Sequence, residues 1–296
     1  MPGCGGVQSQ HLPKHALGVH PNIMHELIAA IDLGSNSFRL QVGKIVNDQI
    51  YPLDGIKEPV RLAAGLTADK LLDEPARERA LAALGRFNER LRGFPRDSVR
   101  AVATNTLRVA KNARSFLAEA ERVLGVPIEV ISGREEARLI YVGVAHTLPE
   151  PHRQQLVVDI GGGSTEFIIG KSFEPLQLES LYMGCVGYSL NYFPDGRIDR
   201  TTLRDAEFAA RAELQSIVRA YRETGWEIAV GSSGSAKALA DVMEQNGWSR
   251  GGITVEGLDR MRMAMLRAGR LERLNLAGLK DDRLPVILGG FSIMSA

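Results

Sequence analysis

Two short stretches of the 296-residue chain pair a carboxylate with a glycine-bearing turn. Leu156 to Gly170 reads LVVDIGGGSTEFIIG: an apolar run ends in Asp159, then come Gly161, Gly162 and Gly163, Ser164 and Thr165, and a second apolar run. Two β-type runs joined by such a turn predict a hairpin. Glycine lacks Cβ, so its backbone can take positive φ and approach a ligand closely. Successive backbone N–H groups in the turn form a concave receptor for phosphate oxygens. A carboxylate at the strand end would repel that phosphate unless a cation lay between them. Mg²⁺ meets both needs, held by one or two carboxylates and by phosphate oxygens.

Ile31 to Ile45, IDLGSNSFRLQVGKI, repeats the pattern. A shift of 127 residues lays Asp32 on Asp159, Gly34 on Gly161, Ser37 on Ser164, Gly43 on Gly170 and Lys44 on Lys171, which marks an internal repeat. Facing halves would bring both carboxylates and both donor loops, Gly34-Ser35-Asn36-Ser37 and Gly161 to Thr165, to one cleft. That is a phosphate-plus-metal site.

The elements that must position these loops read as α/β in both halves. Residues 28–33 and 38–46 form the first hairpin, and a strand pair is expected near 49–53 and 58–62. Lys57 and Arg61 there are either solvated charges on an edge or cations turned toward an anion. Glu74 to Arg92 is helical, with Ala80, Leu84, Phe87 and Leu91 on one stripe. Val99 to Ala103 is a strand running into Thr104-Asn105-Thr106, polar groups at a strand end where α/β folds place ligands. A helix over Asn112 to Leu124 and a strand over Ile128 to Ile131 follow. The next helix, about Arg134 to Val144, opens on Glu135 and Glu136. Successive helical residues point about 100° apart, so only one of the two can face a site, and periodicity does not choose.

Pro149-Glu150-Pro151 breaks the chain before the second half. After its hairpin come a strand near 177–183 and a helix over 200–223, with Leu203, Phe208, Ala212, Leu214 and Ile217 read as its apolar residues. A strand over 227–230 leads into Gly231 to Ser235, which resembles an anion-binding helix start but lacks the spacing of a P-loop. Arg283 to Met294 is largely apolar and the sequence stops at Ala296, so an incomplete second domain is expected.

Hydrophobic content of 44% with 24% charged residues is that of a globular chain. A net charge of +1 gives no bulk attraction to nucleic acid or membrane. No apolar run is long enough to span a bilayer. Cys4 and Cys185 show no pairing or zinc pattern, which fits a reducing cytoplasm. The first 26 residues read as a mobile tail. Pro13 within it separates His11 from His15 and disfavours a helical metal site.

Taken together, the motifs resemble the exopolyphosphatase/guanosine-pentaphosphate phosphohydrolase family. IDLGSNSFRL, TNTLR, ISGREEARLIYVGV, VDIGGGSTEF, MGCVGYS and GSSGSAKAL carry the resemblance in order, over about residues 28 to 293. It implies two actin-like (ribonuclease H-like) domains with an interdomain cleft, within the acetate and sugar kinase/heat-shock/actin superfamily. Residues 1–26 would be the tail, 27–139 domain I and 140–296 a truncated domain II, the N-terminal part of a longer exopolyphosphatase. By position, Asp32 and Asp159 match the motif carboxylates, with catalytic and metal-binding roles, and Glu166 joins them as a metal ligand. Glu136, not Glu135, matches the catalytic base, and Arg108 the arginine near the phosphate chain. The implied activity is Mg²⁺-assisted release of the terminal phosphate of inorganic polyphosphate. Conversion of guanosine pentaphosphate to tetraphosphate, in the stringent response, is the alternative. Neither nucleic acid nor membrane is an expected partner, and a homodimer stays open. A sugar kinase is disfavoured by the lack of a sugar-binding segment, and a non-catalytic binder by intact Asp32, Glu136 and Asp159.

Overall fold

A computed structural model describes residues 26–47, 49–148 and 152–296. The first half supplies β1 (Leu27–Leu33), β2 (Phe38–Val46), β3 (Gln49–Glu58), α1 (Glu74–Arg90), β4 (Val99–Ala103), α2 (Asn105–Val109), α3 (Ala113–Leu124) and β5 (Ile128–Val130). Then follow α4 (Gly133–Ala145), β6 (Gln155–Ile160), β7 (Thr165–Lys171), β8 (Glu174–Leu181), α5 (Cys185–Tyr192) and α6 (Arg200–Thr224). The chain closes with β9 (Ile228–Gly231), α7 (Gly234–Gln245), α8 (Val255–Ala268) and α9 (Ile287–Ser295).

One sheet has the order β3-β2-β1-β4-β5 and the other β8-β7-β6-β9. In each, three strands run antiparallel and a fourth joins the first in parallel. The 127-residue repeat survives in detail. A bulge at Val42/Gly43 faces Pro52 of β3, and one at Ile169/Gly170 faces Pro175 of β8. Both prolines lie on edge strands, where a missing N–H breaks no inner ladder. The parallel pairs β1–β4 and β6–β9 send their carboxyl ends the same way, and α/β sheets bind ligands beyond those ends.

The first core forms as its periodicity predicts: Ala80, Leu84, Phe87 and Leu91 are buried with Phe116 and Leu124 of α3. In α6 the buried apolar residues are Leu203, Ala206, Ala210, Ile217 and Tyr221. Phe208, expected among them, is 74% exposed, and Ala212 is exposed as well. Five residues beyond Leu203 the helix has turned well past the buried face. Helix α4 follows β5 but lays Ala137, Tyr141 and Ala145 on Val157 and Ile168 of the second sheet. The 139/140 division therefore falls inside a helix that packs as one piece. The strand pair expected at 49–53 and 58–62 is instead the single strand β3. Arg61 then takes a left-handed backbone (φ 53°) that stops extension and opens a 3-10 turn at Leu62–Gly65.

The apolar C-terminal run is α9, hydrophobic all round because it packs against α5, α6, α7 and α8. Its Gly289 lies so close to the Cys185 carbonyl that any Cβ would collide with it. Residues 1–25, with their histidines and Cys4, and the Pro149–Pro151 break lie outside the described residues. Among the described residues, no helix is long and apolar enough to cross a membrane.

Candidate active site

The two glycine turns close in the same way. A Cβ on Gly34 would stand 2.9 Å from the Ser37 carbonyl oxygen, and one on Gly161 would stand 3.0 Å from that of Ser164. None of these loop glycines is left-handed. The need for glycine here is close approach, not positive φ. Gly162 and Gly163 serve a further contact that the sequence did not suggest. A Cβ on Gly162 would meet Asn36 N at 2.9 Å, and one on Gly163 would meet Asn105 Oδ1 at 2.5 Å. The loops of the two halves thus touch each other. Their carbonyls are held from outside: Arg61 N and Ala63 N donate to Asn36 O and Ser35 O, while Cys185 N and Val186 N donate to Gly161 O and Gly162 O.

Between the loops opens a cavity of about 640 Å³. The structure brings to its wall Asp32, Gly34, Ser35, Asn36, Ser37, Glu136, Asp159, Gly161, Gly162, Gly163 and Ser164. Asp32 and Asp159 end β1 and β6, and Glu136 sits in the first turn of α4, where Ser132 caps the helix by accepting from Glu135 N. Glu135 turns away and pairs with Arg138 at 2.7 Å.

Burial dominates the electrostatics of this wall. It lifts Asp32 to about 7, with Glu136 and Asp159 pushing the same way. It raises Asp159 as well, opposed by the Ser232 hydroxyl, which donates to Asp159 Oδ2 at 2.6 Å. It also raises Glu136, opposed by the Arg108 guanidinium 2.9 Å away. Carboxylates packed this way resist ionising together.

Three expected residues stand elsewhere. Thr165 is fully buried and donates to Met183 O. Glu166 is buried beneath the loop, accepts from Ser180 Oγ at 2.8 Å, and is lifted to about 8 by burial. Arg108, expected on the phosphate chain, lies behind Glu136 and is absent from the wall. Among the described residues, no three His, Cys, Asp or Glu side chains form a metal-holding group. Asp32 and Asp159 are left as a pair of carboxylates facing one cavity.

The wall also holds residues that the sequence left open or gave no sign of. Lys57, one of the two cations weighed there, lines the cavity and reaches across to Asp282 at 3.1 Å. Gly231 to Ser235 line it where α7 begins, with Ser233 as the N-cap, so the expected helix start does face the site. Arg39, Lys237 and Arg283 complete a ring of cations. The Arg283 guanidinium lies against Gly234, where a Cβ would stand 2.5 Å from it. Arg39 is Asp32's cross-strand partner, at the repeat position that holds Glu166 in the other half. That charge reversal was the available signal.

Comparison with known proteins agrees with this arrangement. The model of the Ppx/GppA phosphatase family matches residues 41–296. A Haemophilus influenzae protein named "Putative exopolyphosphatase" is 44% identical over 284 residues, covering 96% of this chain and 86% of that one. The crystal structure of an exopolyphosphatase from Cytophaga hutchinsonii superposes with TM-score 0.80 at 27% identity, covering 90% of this chain and 88% of the other. The Aquifex aeolicus PPX-GPPA enzyme superposes with TM-score 0.71 at 26% identity, covering 91% and 90%. The fold is the actin-like one, α/β with two mixed sheets.

Proposed function

The chain belongs to the Ppx/GppA phosphatase family, and on that premise we propose that it is an exopolyphosphatase, cutting the terminal phosphoanhydride of inorganic polyphosphate. The observation that carries this reading is convergence. Two phosphate-type turns, three carboxylates and four cations, Arg39, Lys57, Lys237 and Arg283, surround one cavity between the halves of the repeat. A polyanion would be drawn by the cations and gripped by the loops, and hydrolysis then needs an aimed water and an in-line leaving oxygen.

Glu136 is assigned the base. It takes a proton from the water whose oxygen bonds to the terminal phosphorus. The P–O bond to the next phosphate breaks, the electron pair leaving with the shortened chain, and orthophosphate is released. Asp32 and Asp159 would hold a divalent ion, because two buried carboxylates facing one cavity, with the Asp159 charge raising the proton affinity of Asp32, are what such an ion relieves. Mg²⁺ held there would supply charge neutralisation at the transferred phosphoryl group.

Phosphate release from long-chain polyphosphate with Mg²⁺, with guanosine pentaphosphate assayed in parallel, tests the proposal. Glu136→Gln should lower kcat by about 10²–10⁴-fold, as for a positioned base, with the fold intact by circular dichroism. Release from the nucleotide alone would replace the substrate. A loss below about tenfold would remove Glu136 from the role of base.

A further inference from the structure

Arg108 stands out because it sits next to the reacting region without touching the cavity. Its Nη1 donates to the Ile131 carbonyl and to Glu136 Oε2, both at 2.9 Å. The two side chains are 15% and 16% exposed. Gly133 stands beside the guanidinium, and its lack of a Cβ is required by Ser180, with which a Cβ would clash at 2.6 Å. The pair also joins the two halves of the molecule. Arg108 lies on α2, directly after β4 of the first sheet, whereas Glu136 lies on α4, which packs on the second.

We propose that Arg108 is a positioning residue: it acts through Glu136, holding that carboxylate in place, and does not itself bind the phosphate chain. The inference rests on Glu136 being the base of the proposed reaction. Three carboxylates act on Glu136, Asp32 from β1, Asp159 from β6 and Glu166 from β7, while the cations Arg39, Lys57, Lys237 and Arg283 line the same cavity. Thr104, at the end of β4, adds one neutral hydroxyl. Arg108 is the cation hydrogen-bonded to Glu136 within this surround, and a guanidinium holds a carboxylate by direction as well as charge. With one Nη1 shared between Glu136 and a backbone carbonyl, the arginine is pinned at both ends of the β5–α4 connection. That fixes where the base points when water arrives.

The test separates this from a phosphate-gripping arginine. Arg108→Gln should lower kcat by about tenfold or more while KM moves less than about threefold, the signature of lost chemistry with binding kept. The acid limb of the kcat profile should move to higher pH, because removing an adjacent cation raises a carboxyl's pKa. Arg108→Lys, which keeps the charge and loses the fork, should recover part of kcat. Calorimetry with tripolyphosphate in chelator supplies a readout free of turnover, and Arg108→Gln should bind it within about twofold of wild type. A tenfold weaker tripolyphosphate affinity, or a KM rise with kcat unchanged, would overturn the proposal in favour of direct phosphate binding. A lowered melting temperature with kcat per folded molecule intact would reduce Arg108 to a structural tie and overturn it equally. If wild type releases no phosphate from any substrate, the hydrolase reading fails, and the tripolyphosphate affinity still decides whether Arg108 is a phosphate ligand.

Discussion

At the scale of single residues, the site stores an electrostatic cost that pH should reveal. In the metal-free protein Asp32 is lifted from 3.8 to about 7, and Glu166 from 4.5 to about 8. Between those limits the folded chain binds protons that the unfolded chain has released. Stability must therefore fall as pH rises, by at most about 1.4 kcal/mol per pH unit for each group. The contribution is complete below the unfolded values and lost as pH passes through the folded ones. Denaturant midpoints in chelator should accordingly be lower at pH about 7.5 than at about 5.5. Asp32→Asn and Glu166→Gln should each flatten that slope and raise the midpoint at the higher pH. A slope unchanged in both variants would contradict the burial assigned to these carboxyls. Divalent metal should flatten the wild-type slope and leave that of Asp32→Asn nearly unmoved.

At the scale of elements, the glycine loops make a sharper claim than anion binding, because they are packed surfaces. Gly184, just ahead of α5, leaves no room for a Cβ beside the Gly162 carbonyl and Gly163 N, and those neighbours are backbone. Gly184→Ala should cost about 1–3 kcal/mol, as overpacking does, and should lower activity by displacing the loop. Gly187, one turn on in α5, has nothing within 4 Å of a Cβ. Gly187→Ala should instead stabilise by up to about 1 kcal/mol through helix propensity. Thermal melts of the two variants compare the effects directly, and equal outcomes would refute the packing argument. This contrast also marks how far the sequence could be read. Asp32, Gly34 and Ser37 repeat at Asp159, Gly161 and Ser164 because one turn geometry demands the same atoms twice. A local constraint leaves a local signature. The contact of Gly163 with Asn105, the pairing of Arg108 with Glu136 and the burial of α9 are relations between distant segments, and each looks ordinary in its own window. Phe208 was misplaced for a related reason: an apolar type suggested burial at a position whose angle points outward.

At the scale of the whole molecule, the cavity is a seam, and its cations come from both sides. Arg39 and Lys57 belong to the first half, Lys237 and Arg283 to the second. Lys57 on β3 and Asp282 ahead of α9 meet across it at 3.1 Å, with side chains 35% and 42% exposed. Ion pairs this exposed are worth about 0–1 kcal/mol. The pair therefore contributes little to holding the halves together, and its larger effect is on what enters between them. Asp282 partly neutralises a lysine that an incoming polyanion could use, and it places a negative charge beside that lysine. Asp282→Asn should leave the melting temperature nearly unchanged and lower KM for long polyphosphate. Lys57→Gln should raise KM by several-fold at low salt, with a smaller change in kcat. Because exposed charges are screened over about 10 Å at 0.1 M salt, both effects should shrink together as ionic strength rises. KM measured for the three proteins across a salt series decides the matter. Should Lys57→Gln and Asp282→Asn shift KM in the same direction, the pair would be acting as a structural tie between the halves, and its removal from either side would open the seam.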